Sequence, residues 1–159
     1  MTISNVDLQK KFDKRGINIT AIIMANELRG IPLQKSMNII INLDDRGNNG
    51  THWTCMCVRG KEAFYFDSYG AKCDKYVLDY CKRHNLKLGI NTYIIQDLDS
   101  VECGLFCFAY ILYLHKEKIP NKITREFPKS RLYELSNNFI NMFEHDTRLN
   151  DNILFDYIR

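Results

Sequence analysis

An α+β domain, with a mostly antiparallel sheet packed on one buried central helix, is the fold class this sequence predicts. Three features carry the prediction. The run Leu105 to Leu114 is apolar on every side, so a helix there is surrounded by protein rather than lying on a surface. "THWTCMCV" and "EAFYFDS" are two β-rich runs joined by the tight connection Arg59-Gly60-Lys61, a hairpin. The elements follow one another as helix, strands, helix, strand, central helix, helix, a segregated order rather than strict alternation.

In chain order, Ser4 to Arg15 spaces Val6, Leu8 and Phe12 as a helix closed by Gly16. "INITAIIMANELRGIP" fits either a short strand or a helical turn, and "SMNIIINL" reads as a buried strand. "DDRGNNG" is a turn-rich loop leading to the hairpin. "CDKYVLDYCKRHN" puts Tyr76, Val77, Tyr80 and Cys81 on one helical face, and "INTYIIQ" reads as a further strand. The central helix spans Gly104 to Lys116, and "SRLYELSNNFINMFEH" is a second amphipathic helix. At 159 residues without repeats or linkers, residues 1–159 are read as one domain.

Composition narrows the function classes. A net charge of +3 without a basic cluster gives no argument for nucleic acid. The N-terminal stretch lacks the apolar core of a signal peptide, and the longest apolar run is shorter than the ~20 residues a helix needs to span a bilayer. A soluble intracellular protein without membrane contact is expected. Six cysteines then stay reduced, and neither Cys55-x-Cys57 nor Cys103-x3-Cys107 has the two-residue spacing of a zinc knuckle. No metal and no cofactor is expected; most of these cysteines read as small buried apolar residues.

Cys103 differs by its position. In "QDLDSVECGLFCFAYILYLH" it stands where an acidic loop enters the buried helix. A helix start between Ser100 and Glu102 puts it in the first turn, where unpaired N–H groups favour a thiolate. Gly104 beside it offers room for a substrate backbone. A cysteine beginning a buried helix is more often core than nucleophile, so the reading turns on its partners.

His115 is too far along the same helix, about 18 Å at 1.5 Å per residue. His84 and His145 lie in charged or polar surroundings and read as surface. His52 opens a strand at the edge of a loop, where site residues are commonly mounted. Asp67 ends the paired strand, so the hairpin brings it near His52, either facing directly or through a bulge. It would accept the imidazole Nδ1–H; the alternative is a turn-initiating aspartate in "DSYG". Gln96, at the end of the strand "INTYIIQ", offers an amide N–H to an oxyanion, with the backbone N–H of Cys103 or Gly104 as second donor.

The order His, Asp, Gln, Cys is not papain-like, where cysteine comes first. A buried helix following the cysteine does not fit the chymotrypsin-like double barrel. "HW" opening a strand, "FDSYG" ending the next, then Gln96 and "CGLFC" entering a helix resemble the adenovirus-type cysteine proteases of the SUMO-protease-like superfamily. The match is strongest to the capsid-maturation proteases of Maverick/Polinton-type elements and virophages, over about residues 50 to 115.

The resemblance implies a papain-like-superfamily architecture in circularly permuted order. Cys103 would be the nucleophile, His52 the base and later acid, Asp67 the orienter, and Gln96 an oxyanion donor, with Trp53 packing beside the site. Peptide bonds near small residues, in Gly-x or Gly-Gly contexts, would be cleaved in viral capsid or core precursor polypeptides. A deconjugating protease for ubiquitin-like proteins and a non-catalytic binding module on the same fold are the alternatives. The resemblance further implies a monomer in host cytoplasm or viral factory, packaged in the virion and not secreted. An activating peptide or DNA is the remaining implied partner, although no cysteine stands just upstream of Gln96, where a peptide-linking one would be.

Overall fold

The computed structural model describes residues 3–43, 52–117 and 131–159. The turn-rich loop "DDRGNNG" lies outside them. Helix α1 (Asn5–Lys14) is capped by Ser4, whose hydroxyl accepts from the Asp7 N–H at 3.1 Å, and ends at Gly16 with φ +65°. Its Leu8 and Phe12, four residues apart, face the core. The ambiguous stretch that follows resolves into both of its alternatives: strand β1 (Ala21–Met24), then a 3₁₀ segment (Ala25–Gly30). Strand β2 (Ser36–Asn42) comes next, then the hairpin of β3 (Trp53–Arg59) and β4 (Glu62–Phe66) about Gly60-Lys61. Helix α2 (Lys75–Arg83), strand β5 (Lys87–Ile90) and the central helix α3 (Cys103–Lys116) follow. Helix α4 (Leu132–Ile140), a 3₁₀ turn (Thr147–Leu149) and helix α5 (Asn150–Ile158) complete the order.

The sheet runs β1-β2-β3-β4-β5 and is mixed, which corrects the mostly antiparallel expectation. The two central pairings, β2 with β3 and β3 with β4, are antiparallel; both outer pairings are parallel. Parallel neighbours require a crossover, and the 3₁₀ segment and α2 supply one at each edge.

Successive side chains of a strand point to opposite faces, and here both faces are apolar. Ile40, Cys55, Cys57, Phe64 and Phe66 share one core with α1, α3, α4 and α5. Met37, Ile39, Ile41, Met56, Val58 and Tyr65 share another with the buried face of α2 and with Leu28. The sheet is therefore covered on both sides, not by one helix only. Apolar residues at consecutive positions of β3 are the sequence trace of that double burial.

The segment "INTYIIQ" is a second correction: β5 ends at Ile90 and residues 91–96 leave the sheet. Asn91 explains the departure. Its side chain accepts from the Asp67 N–H at 3.0 Å and donates to the Asp67 carbonyl at 2.5 Å, doing for Asp67 what a further strand residue would have done. The N–H groups of Ile95 and Gln96 then both donate to the Ser68 carbonyl, at 2.9 and 3.0 Å. The turn after β4 that permits this contains Gly70, at φ +61°, where a Cβ would lie 2.5 Å from the Tyr93 backbone.

Candidate active site

The β3–β4 register pairs Cys55 with Phe66. Carried one residue further, it would put Asp67 opposite Thr54, and carried three further, His52 opposite Tyr69. His52 and Asp67 are thus diagonal neighbours, and no bulge is needed to join them. His52 Nε2 lies 2.7 Å from Asp67 Oδ1, and the His52 ring lies 4.9 Å from that of Tyr69. The Tyr69 N–H donates to the same Oδ1 at 2.9 Å, while Leu43 N–H donates to the His52 carbonyl at 2.8 Å. The Asp67 carboxylate is therefore held by a backbone N–H as well as by the imidazole, and the main chain of His52 is tied to Leu43.

Cys103 is the first residue of α3, preceded by Glu102, whose side chain makes no capping bond. The first-turn N–H groups of a helix have no carbonyl partner within it and carry partial positive charge. Strand β3 passes beside this terminus, and the Trp53 N–H donates to Cys103 Sγ at 3.4 Å. His52 is the residue before Trp53, and its interaction with the Cys103 side chain favours the charged form of its ring. Nε2 is the ring nitrogen that meets Asp67. This reverses the expected use of the ring, in which Nδ1 was to meet the carboxylate. Asp67 lies diagonally across the hairpin from His52, and Nε2, the nitrogen farther from the backbone, is the one that reaches it.

Burial disfavours a charged His52, but the Asp67 and Cys103 hydrogen bonds, with their charges, more than compensate. They hold the imidazolium up to about 9 from an ordinary 6.5. Asp67 is itself 2% exposed, so its charge acts in a poorly screened setting. A thiol beside an imidazole whose cationic form a buried carboxylate favours can pass its proton to the ring, giving a nucleophile, and the ring can return that proton to a leaving group.

Gln96 is fully buried in the loop that leads to the cysteine. Its Oε1 accepts from the Ser68 hydroxyl at 2.5 Å and its Nε2 donates to the Ser100 carbonyl at 3.0 Å. The amide is thereby oriented, and one of its two N–H donors is used in the orienting. Gly104 has a different part from the one expected. A Cβ there would meet Ile3 Cγ2 at 2.3 Å and Trp53 Cδ1 at 3.1 Å, so its missing side chain admits the N-terminal segment rather than a substrate backbone. Trp53 is 4% exposed, with its indole N–H donating to the Ile3 carbonyl at 3.1 Å.

The other histidines lie elsewhere: His84 stacks near Tyr80, His145 near Tyr93, and His115 is in the last turn of α3. Sequence reasoning passed over Tyr69, Ser68, Asn91 and Ser100, all of which fix site residues. Two of them lie inside the quoted "FDSYG", and their spacing from Asp67 was the available signal. The other cysteines are free and buried, and burial pushes Cys57 up to about 12 and Cys81 up to about 11. Among the described residues no cluster of three or more His, Cys, Asp or Glu is arranged for a metal ion. None of the described helices is long and apolar enough to cross a membrane.

No protein-family model and no curated protein matches the sequence. Solved structures do. The ASFV pS273R protease superposes with a TM-score of 0.58 at 18% identity, covering 99% of this chain and 66% of that one. Its selenomethionine form gives 0.52 at 18% identity over 80% of this chain and 44% of that one. The chain thus spans less than two thirds of these neighbours' length in one case and about two thirds in the other. At this identity the likeness establishes a shared fold alone.

Proposed function

We propose that the chain is a cysteine endopeptidase with Cys103 as nucleophile. The observation that carries the reading is the line of groups at the start of α3: thiol, His52, and Asp67 2.7 Å behind it. Transfer of the Cys103 thiol proton to His52 gives the thiolate that attacks the scissile carbonyl carbon. The oxygen that becomes negative is met by the remaining Gln96 N–H and by the first-turn N–H groups of Cys103 and Gly104. The imidazolium gives its proton to the departing amine, leaving a thioester on Cys103. Neutral His52 then takes a proton from water, whose hydroxide attacks the thioester, and the acid product leaves as the thiolate–imidazolium pair is restored. Asp67 keeps the ring oriented and its cationic form favoured throughout.

The substrates of this reading are viral capsid or core precursor polypeptides cleaved beside small residues, and the fold shared with a viral protease supports it. The test is incubation of wild-type and Cys103→Ala protein with the candidate capsid precursor, with new termini mapped by mass spectrometry. New termini beside glycine, made by wild type only, are the expected result. Cleavage confined to ubiquitin-like conjugates would replace the capsid assignment, and no Cys103-dependent cleavage of either would reject the protease.

A further inference from the structure

The acidic loop between Gln96 and Cys103 has no apolar anchor of its own at its tip; Leu98 is 81% exposed and Val101 47%. It is nonetheless tied at three points to one short stretch near the C-terminus. Asn150 Nδ2 donates to the Ile95 carbonyl at 2.8 Å, one residue before Gln96. The Thr147 hydroxyl donates to Asp97 Oδ1 at 2.8 Å, one residue after it. The Ser100 hydroxyl donates to Asp151 Oδ1 at 2.9 Å. Asn150 is itself fully buried, and it is locked by a donated bond to the Glu144 carbonyl and an accepted bond from the Glu144 N–H, both 2.9 Å.

The third tie matters most for chemistry. The Ser100 carbonyl is the acceptor that aims the Gln96 amide, and Asp151 holds the residue that carries it. The Ser100 hydroxyl also accepts from the Glu102 N–H at 3.2 Å, just before the helix that begins with Cys103. From these contacts we infer that Thr147, Asn150 and Asp151 are positioning residues for the oxyanion donor Gln96, so that residues 147–151 act as a brace for the active site. The inference rests on the endopeptidase reading above and adds to it a second, distant set of residues that sets the rate. None of them touches the reacting atoms; they act through Gln96.

The test uses Thr147→Val and Asp151→Ala in the full chain, singly and in a Gln96→Ala background. The substrate is a quenched-fluorescence peptide from a cleavage site mapped with the wild-type enzyme. Each variant is expected to lower kcat about tenfold, the rate equivalent of one lost hydrogen bond, with KM little changed. Alkylation of Cys103 by iodoacetamide, which forms no oxyanion, should keep its wild-type rate. Thr147→Ser should restore kcat. In the Gln96→Ala background the same substitutions should cost nothing further. An equal loss in both backgrounds, or alkylation falling in parallel with kcat, would overturn the inference. A Gln96→Ala enzyme with undiminished kcat would overturn it as well. Continued cleavage by Cys103→Ala would instead strike the endopeptidase reading, so the two failures are distinguishable. Asn150→Ala would leave several backbone groups unpaired and risks unfolding, so the half-buried pair Thr147 and Asp151 carries the test.

Discussion

Replacing Asp67 by asparagine removes a negative charge 2.7 Å from His52 Nε2 and changes the side chain's shape very little. The amide oxygen can still accept from the Tyr69 N–H, so the loop should keep its course. What is lost is most of the force holding the imidazolium. The gap between about 9 and the ordinary 6.5 corresponds to about 3 kcal/mol of preference for the cation. Once Asp67 is neutralised, burial acts against the charge with only the Cys103 interactions opposing it, and the midpoint should fall to about 6.5 or lower. At pH 7.5 the ring would go from almost wholly protonated to about one-tenth protonated or less. The cleavage rate there should drop at least tenfold, about the fraction of enzyme still poised, and recover partly as the pH is lowered. Titration of the ¹⁵N-labelled imidazole by NMR from about pH 5 to 10 reads the midpoint without any substrate. The comparison is between the midpoints of wild type and variant. A variant still titrating near 9 would refute the electrostatic role given to Asp67.

Stability should carry the same signature. His52 gains protons on folding, so its contribution is full below about pH 6.5 and is lost as pH rises through about 9. The urea midpoint of wild type should fall across that window, and the part of the fall between about pH 6.5 and 8 should disappear in His52→Gln, while the part above it, shared with the buried thiols, stays. Asn91→Ala strips both partners from the Asp67 backbone and should destabilise by about 2–4 kcal/mol, with a matching loss of activity; a change under about 1 kcal/mol in chemical denaturation would contradict that accounting. Gly104→Ala forces a Cβ onto Ile3 and Trp53 and should cost about 1–2 kcal/mol, recovered when Ile3→Ala is added. If the second substitution gives no recovery, the packing account of Gly104 is wrong.

The hairpin was legible because Gly60 takes φ +64° between two apolar runs, and its register brought His52 and Asp67 together. The central helix was legible because apolar residues on all sides leave no other place for it than the core. The strand directions at the sheet edges were not, since they depend on how far a crossover carries the chain. The stretch "INTYIIQ" has a strand's composition, yet two long-range side-chain bonds from Asn91 to Asp67 divert it. The site residues could be named because their types and order are restrictive. The use of each ring nitrogen could not, because it follows from the direction in which the imidazole leaves the strand. The brace at 147–151 left no local mark either: its partners lie about fifty residues away, and α5 shows only a short apolar pattern around Leu154.

The central claim is that cleavage passes through Cys103 with His52 as its proton partner. A proteome-derived peptide library digested by wild type, Cys103→Ala and His52→Ala, with new N-termini identified by mass spectrometry, tests it most directly. The expected result is a defined set of termini, beside small residues, made by wild type and by neither variant. The same set appearing with Cys103→Ala, or no enzyme-dependent termini with wild type, would contradict the claim.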